Sequence, residues 1–441
     1  MQRRDFLTVL AAAGGLPAAP RPAWKAGVAV ADITPAPGIW MAGFAARTCA
    51  AEGVALPLHG KALALEDAAG RRAVVLTLDL LGVTSDMTDR IAAAVRGRHG
   101  LAREGLLVNA SHTHSGPVTS DMLSIAYDLS PAQHALIRAY TADLERKAVD
   151  VIGRALEGLR PARLSFAEGR AEFAANRRVH FTPDGPVDHA VPVLRVEEMS
   201  DRPLAIVFGY ACHNTTLQAG NCRLHGDYAG VAQAALERRH PGARAMFVAG
   251  CGGDANPKPR GTVELVERHG EALAEAVDRA LRLAAPVAGP LRLARGVVDL
   301  PFAPPPSRVE LERRLQDEDV YVRRHARMML DRLAEKGHLP AAQPAPVHAW
   351  RFGNSFTLVA IGGEVVVDYA LRLKRDYPGQ KLWVAGYSSD VFGYLPSERV
   401  LKEGGYEGGG AMIYYGRPGP FAPGVEELVH GEVRRLMGGV T

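Results

Sequence analysis

Two rhythms of hydrophobic and polar positions alternate along most of this chain, from about residue 28 onward. Short, nearly continuous apolar runs suit buried strands, and the stretches between them, where apolar residues return with a helical period, suit amphipathic helices. The alternation predicts an α/β fold: mixed β-sheets with flanking helices in one large domain. Strands are expected at 73–81 (AVVLTLDLL), 106–110, 162–167, 191–196, 204–211 (LAIVFGYA), 243–249, 354–361 and 381–385. Helices are expected at 85–98 with a Ser85 cap, at 129–159 opened by Ser130 and Pro131, and at 228–239. One region breaks the rhythm. Pro-rich stretches at 301–306 and 339–346 bound a highly charged segment, 307–336, which reads as a helix or helical hairpin. The whole of about 301–346 is expected to be an insertion packed on the outside with a solvated face.

Polar residues gather where the predicted strands stop, which is where open α/β sheets bind ligands. SHTHSGP follows 106–110, and an extended segment puts His112 and His114 on the same side, so both imidazoles can face one point. That arrangement suits zinc, which takes imidazole nitrogen at about 2 Å and keeps a position open for catalysis. His213 and Glu364 close two further strands, and Glu364 follows two glycines, where a carboxylate has no obvious packing task. Three strand ends can therefore converge on one metal. Asp254, in CGGDANP between a strand and a helix, reads as an N-cap or turn residue. Arg177, in AANRR, reads as a solvated surface arginine, with oxyanion or carboxylate binding as the functional alternative. Tyr394 and Tyr406 carry no signal of their own.

Composition adds exclusions. With 441 residues, 47% hydrophobic and 23% charged, the chain is neither disordered nor a coiled coil. A net charge of +4 is too weak a field to mark nucleic acid or an anionic membrane as the main partner. At the N-terminus, MQRRDFLTVLAAAGGLPAAP places Arg3 and Arg4 before a short apolar run and then small residues, the order of an export signal. RRDFL resembles the twin-arginine type. Residues 1–23 are thus expected to be a cleaved signal, and 24–441 an exported, periplasmic or secreted mature protein without a transmembrane segment. In that oxidising setting Cys212 and Cys222 either pair across a loop or remain free buried thiols.

Several separated motifs, taken in order, resemble the neutral/alkaline non-lysosomal ceramidase family. AGVAVADITP and WMAGFAART are similar to its opening, and NASHTHSGP is close to its most distinctive string. The resemblance implies an amidase that cleaves the N-acyl bond of a ceramide-like lipid or other small acylated substrate, with one zinc ion as cofactor. It implies His112, His213 (in ACHNTT), Glu364 (in IGGEVVVDYALRL) and Tyr394 (in VFGYLPSE) as zinc ligands. It further implies His114, Arg177 and Tyr406 (in GGYEGGG) as substrate-contacting residues. The family's GDVSP serine is replaced by Asn256 in GDANP, so a serine nucleophile is not available there. The expected route is attack by a metal-activated water, with Asn256 orienting the water or amide and Asp254 anchoring its turn. Glu364 as general base is the alternative within that route. The family's early His-Asp-Pro string appears as Ala55, Leu56 and Pro57. The resemblance spans nearly the whole mature chain but only the family's catalytic domain. Two other functions compete: an ester or lactone hydrolase of the same architecture, and a secreted binding protein that has lost turnover. No protein partner is legible.

Overall fold

A computed structural model describes residues 24–438. The expected signal, 1–23, lies outside the described residues. Two mixed sheets form the centre. In the larger, the spatial order is Arg244–Ala249, Pro203–Tyr210, Ala190–Glu198, Arg160–Arg170, Trp24–Asp32, His59–Asp67, Arg72–Leu78 and Leu106–Ala110, with Ala285–Pro286 pairing beside Arg160–Arg170. Its outermost pairs are parallel and those between are antiparallel. The smaller sheet runs Leu291–Pro301, Ala342–Phe352, Phe356–Ile361 and Leu382–Ala385.

Strands Arg72–Leu78, Leu106–Ala110, Pro203–Tyr210 and Phe356–Ile361 are buried on both faces, which explains why they read as continuous apolar runs, while the edge strand Leu291–Pro301 is mostly half-buried or exposed. In strand Arg244–Ala249, Met246 and Val248 join Trp350, Leu358 and Trp383 of the smaller sheet in one core. The alternate residues Ala245 and Phe247 pack with helices α1 (Ser85–His99), α2 (Pro131–Glu157), α3 (Asp227–Arg239) and α4 (Val263–Leu281). The charged segment folds as a hairpin of α5 (Arg308–Arg314) and α6 (Val320–Lys336). The outer face of the smaller sheet is covered by α7 (Val367–Asp376), and a short α8 (Glu398–Glu403) and a closing α9 (Val425–Leu436) complete that side.

Each predicted strand and helix is present within a few residues of its expected place. Three details differ. Thr84, not Ser85, caps α1, its hydroxyl accepting the Met87 N–H at 3.3 Å. The strand predicted to reach residue 81 stops at Leu78, because the Asp79 carboxylate turns back to accept the His59 N–H. Cys222 does not pair with Cys212: it is joined to Cys49, 173 residues away, while Cys212 and Cys251 are free and buried. The partner of Cys222 comes from a loop that only tertiary folding brings alongside. No described helix is long and apolar enough to cross a membrane.

Candidate metal centre and active site

Where the main strands end, short pairings take over and assemble the site. A parallel bridge between Thr113 and Asn214 sets the SHTHSGP loop against the loop carrying His213. Glu364 and Tyr394 are direct partners in a two-stranded parallel ladder. Ala255 pairs with Asn176, and the Arg177 N–H donates to the Asp254 carbonyl, so the AANRR and GDANP segments lie together. His112 has φ near 62°, a costly region for a residue with a Cβ, and Tyr387 and Ser389 in the adjoining loop share it. Backbone strain of this sort accumulates at functional sites.

The two buried histidines are fixed in the same way. The Nδ1 atom of His112 lies 2.7 Å from the Leu81 carbonyl, and that of His213 lies 2.8 Å from the Gly252 carbonyl. A carbonyl only accepts, so both Nδ1 atoms carry the proton and both Nε2 atoms present lone pairs. Those Nε2 atoms stand 3.0 and 3.1 Å from Oε2 of Glu364, a buried oxygen that makes no hydrogen bond. Burial works to raise the Glu364 carboxyl, but His112 and His213 beside it hold it well below the usual carboxylate range. Burial keeps His213 neutral, pushing it down to about 4, and lowers His114 as well. The Tyr394 hydroxyl is 3.2 Å from His213 Nε2, and His114 Nε2 is 3.2 Å from His112 Nε2. The three imidazoles together offer ring nitrogens within 4.8 Å of one another, a group that can hold a metal ion. Tetrahedral ligands about 2.1 Å from zinc stand about 3.4 Å apart, close to these spacings. Electron-pair donors gathered this tightly in a dry site, with no proton between Glu364 Oε2 and the imidazoles, are reconciled by a cation.

Arg177 is not the solvated arginine of the local reading. Its guanidinium donates to the Tyr394 hydroxyl at 2.8 Å and to Glu407 at 2.6 Å, and it reaches Asn256 Oδ1 and His213 Nε2 at 3.4 Å each. Burial raises the Tyr394 phenol, and Arg177 works in the opposite direction, favouring the phenolate that a metal would take. Asn256 also accepts from Thr215 at 3.2 Å. Tyr406 sits at the mouth, 48% exposed, its ring 5.4 Å from that of Tyr394. Asp254 lies beneath the centre. Its Oδ1 caps α7 by accepting the Val367 N–H and its Oδ2 accepts from Asn176. Asp254 is not the N-cap of the helix that follows it, which is capped by Thr262; its carboxylate instead satisfies an N–H of α7, more than a hundred residues away in sequence.

Other contributors carried no signal of their own, although Gly43 and Arg47 lie in WMAGFAART and Glu407 in GGYEGGG. The Tyr415 hydroxyl donates to Oε1 of Glu364, and Glu407 anchors both Arg177 and Arg178. Gly43 has φ near 103°, and a Cβ there would come within 2.5 Å of the His114 ring, so the imidazole needs a glycine at that place. Arg47 donates to the His114 carbonyl at 2.7 Å, next to the Cys49–Cys222 bridge.

Residues 24–263, just over half of the chain, match the family described as neutral/alkaline non-lysosomal ceramidase, N-terminal. Neutral ceramidase B of Dictyostelium discoideum is 24% identical over 269 residues, and neutral ceramidase A of the same organism is 23% identical over 270. Each match spans 54% of this chain but 36% of the relative. In fold, the chain is similar to the crystal structure of neutral ceramidase from Pseudomonas aeruginosa, with a TM-score of 0.72 at 19% identity, covering 94% of this chain and 75% of that one. A structure described as a ceramidase complexed with C2 gives 0.71 at 17% identity, with 94% and 76% covered.

Proposed function

Because the chain belongs to the neutral/alkaline non-lysosomal ceramidase family, we propose that it is an exported zinc-dependent hydrolase that cleaves the N-acyl bond of a ceramide-like substrate. The observation that carries this reading is the convergence of His112 Nε2, His213 Nε2 and Glu364 Oε2 within about hydrogen-bond distance, with no proton to share. His112, His213, Glu364 and Tyr394 would hold one zinc ion. Bound there, zinc supplies a Lewis acid and lowers the pKa of a coordinated water toward neutrality.

The chain's own residues divide the remaining work. Arg177 keeps its charge, since Tyr394 and Glu407 outweigh the cost of its burial. It faces the centre beside Tyr394, so it can stabilise negative charge as it develops on a carbonyl oxygen. His114 is neutral and can donate one ring N–H to the same oxygen, and the Tyr406 hydroxyl closes that side from the mouth. Asn256, held between Arg177 and Thr215, orients the water or the amide. Asp254 keeps the turn beneath them in place. No step calls on a serine, in keeping with asparagine at position 256. The Cys49–Cys222 bridge supports export, since disulfides persist in oxidising compartments.

Two measurements on purified protein test the proposal: metal analysis, and turnover of N-acyl substrates of varied chain length alongside esters and lactones. One zinc per chain with amide turnover is expected, and a chelator should abolish it. Ester or lactone turnover alone would make it a different acyl hydrolase, and bound zinc without any turnover would make it a binding protein.

A further inference from the structure

The charged hairpin of α5 and α6 is mostly exposed or half-buried, and its inner face reaches the cleft. Tyr321, in the first turn of α6, donates its hydroxyl to the Ala45 carbonyl at 3.2 Å, and its ring lies 5.2 Å from that of Tyr414. Tyr414 neighbours Tyr406 at 6.2 Å, and Tyr406 neighbours Tyr394 at 5.4 Å. Tyr394 stacks near-parallel with His213, and His213 is 5.7 Å from His114. Phe44, next to Ala45, packs at 4.7 Å on His114. The contacts close on themselves as a collar whose lower side is His213 and His114, and Tyr321 is the member that bridges its two sides. The helix is pinned in that position. His325 Nε2 donates to the Arg417 carbonyl at 2.7 Å, Arg332 donates to the Gly416 carbonyl, and Arg324 pairs with Asp128 at 3.1 Å.

A polar floor beneath aromatic rings sorts an amphipathic ligand: the polar group descends to the metal ligands and the hydrocarbon stays against the ring faces. We propose that Phe44, Tyr321, Tyr414 and Tyr406 hold the hydrocarbon chain next to the scissile bond, with Tyr321 setting the preference for long chains. This rests on the amide-hydrolase reading above and names the part of the substrate that the hairpin recognises. Tyr321 is a specificity residue, outside the reacting groups.

The test is a kinetic series with one fluorogenic amine acylated from acetyl to palmitoyl. Tyr321→Ala should lower kcat/KM for the palmitoyl substrate about tenfold, through KM, and leave the acetyl substrate within about twofold, because only the longer chain loses buried methylenes. Tyr321→Phe keeps the ring and should keep the wild-type profile. An equal loss at every chain length, or an unchanged profile in a folded Tyr321→Ala protein, would overturn the proposal. A fluorescent C16 fatty acid titrated into the zinc-loaded protein reads the collar without turnover. Weaker binding to Tyr321→Ala supports the collar even if no amide is cleaved, in which case the hydrolase reading alone fails. Unchanged binding overturns the collar.

Discussion

The floor of the cleft and its rim are held by different means. On the floor, His112, His213 and Glu364 are 0–2% exposed, and each imidazole is locked by a carbonyl behind it. At the rim, Tyr406 is 48% exposed, and Tyr321 and Tyr414 are placed by ring contacts and one hydrogen bond to a loop carbonyl. A hydrogen bond to a buried carbonyl fixes a ring and its tautomer, whereas ring packing fixes a surface and leaves the details adjustable. The floor is therefore suited to one set of ligands around one ion. The rim is suited to recognising a class of shapes.

Substitutions can break that contrast, and the largest effect is expected on the floor. His112→Ala should lose its zinc and, with it, the several kcal/mol that a Lewis acid supplies, about a thousandfold in kcat/KM. Metal analysis and turnover of one preparation check this, and a variant that keeps both would place the centre elsewhere. Arg177→Ala, between floor and rim, should retain the metal and lose about a hundredfold in kcat, the usual effect of removing one oxyanion donor. If zinc is lost with the activity, Arg177 belongs to the floor.

The support beneath the floor is open to a pH measurement. His225 accepts the Asp227 N–H on Nδ1 and is tied to Thr113 and Ser115 on the histidine loop. Burial pushes its imidazole down to about 4 from the ordinary 6.5. A depressed histidine pKa means that the unfolded chain binds the proton more readily. Its contribution to stability is thus present above pH 6.5 and is lost as the pH falls from 6.5 to 4, about 3 kcal/mol in all. His225→Asn, which retains an acceptor but cannot titrate, should flatten this part of the denaturation midpoint against pH, and an unchanged slope would remove His225 as its source. The smallest effect is expected at Tyr415→Phe. Loss of its hydrogen bond to Glu364 should weaken zinc binding about tenfold, as removing the outer partner of a metal ligand commonly does. Competition with a chelator of known affinity measures it.

How much of this was legible in the sequence differs from element to element. The strand 106–110 and the helix opened by Ser130 and Pro131 were readable because burial on both faces and cap chemistry are local. His112 and His114 were readable as a pair from their i, i+2 spacing, although the segment is not the extended one expected: the strand ends at Ala110 and His112 takes a left-handed φ near 62°. Arg177 was misread locally, because the groups that bury it, Glu407 and Tyr394, lie more than two hundred residues away. Tyr415 had no signal at all, since its contact with Glu364 comes from a loop without a motif. The pairing of Cys222 with Cys49 likewise depended on two loops that meet only in the folded chain.

The chain by itself determined its strands, its helices, the polar residues that close the strands and the family to which those strings belong. Periodicity, capping and motif order act over a few residues, and any one segment carries them. Only the tertiary structure decided which strand ends share a centre, which nitrogen of each histidine faces it, and that the charged hairpin borders the cleft. Those outcomes depend on hydrogen bonds and ring contacts between segments far apart in sequence, and such contacts have no counterpart in local pattern.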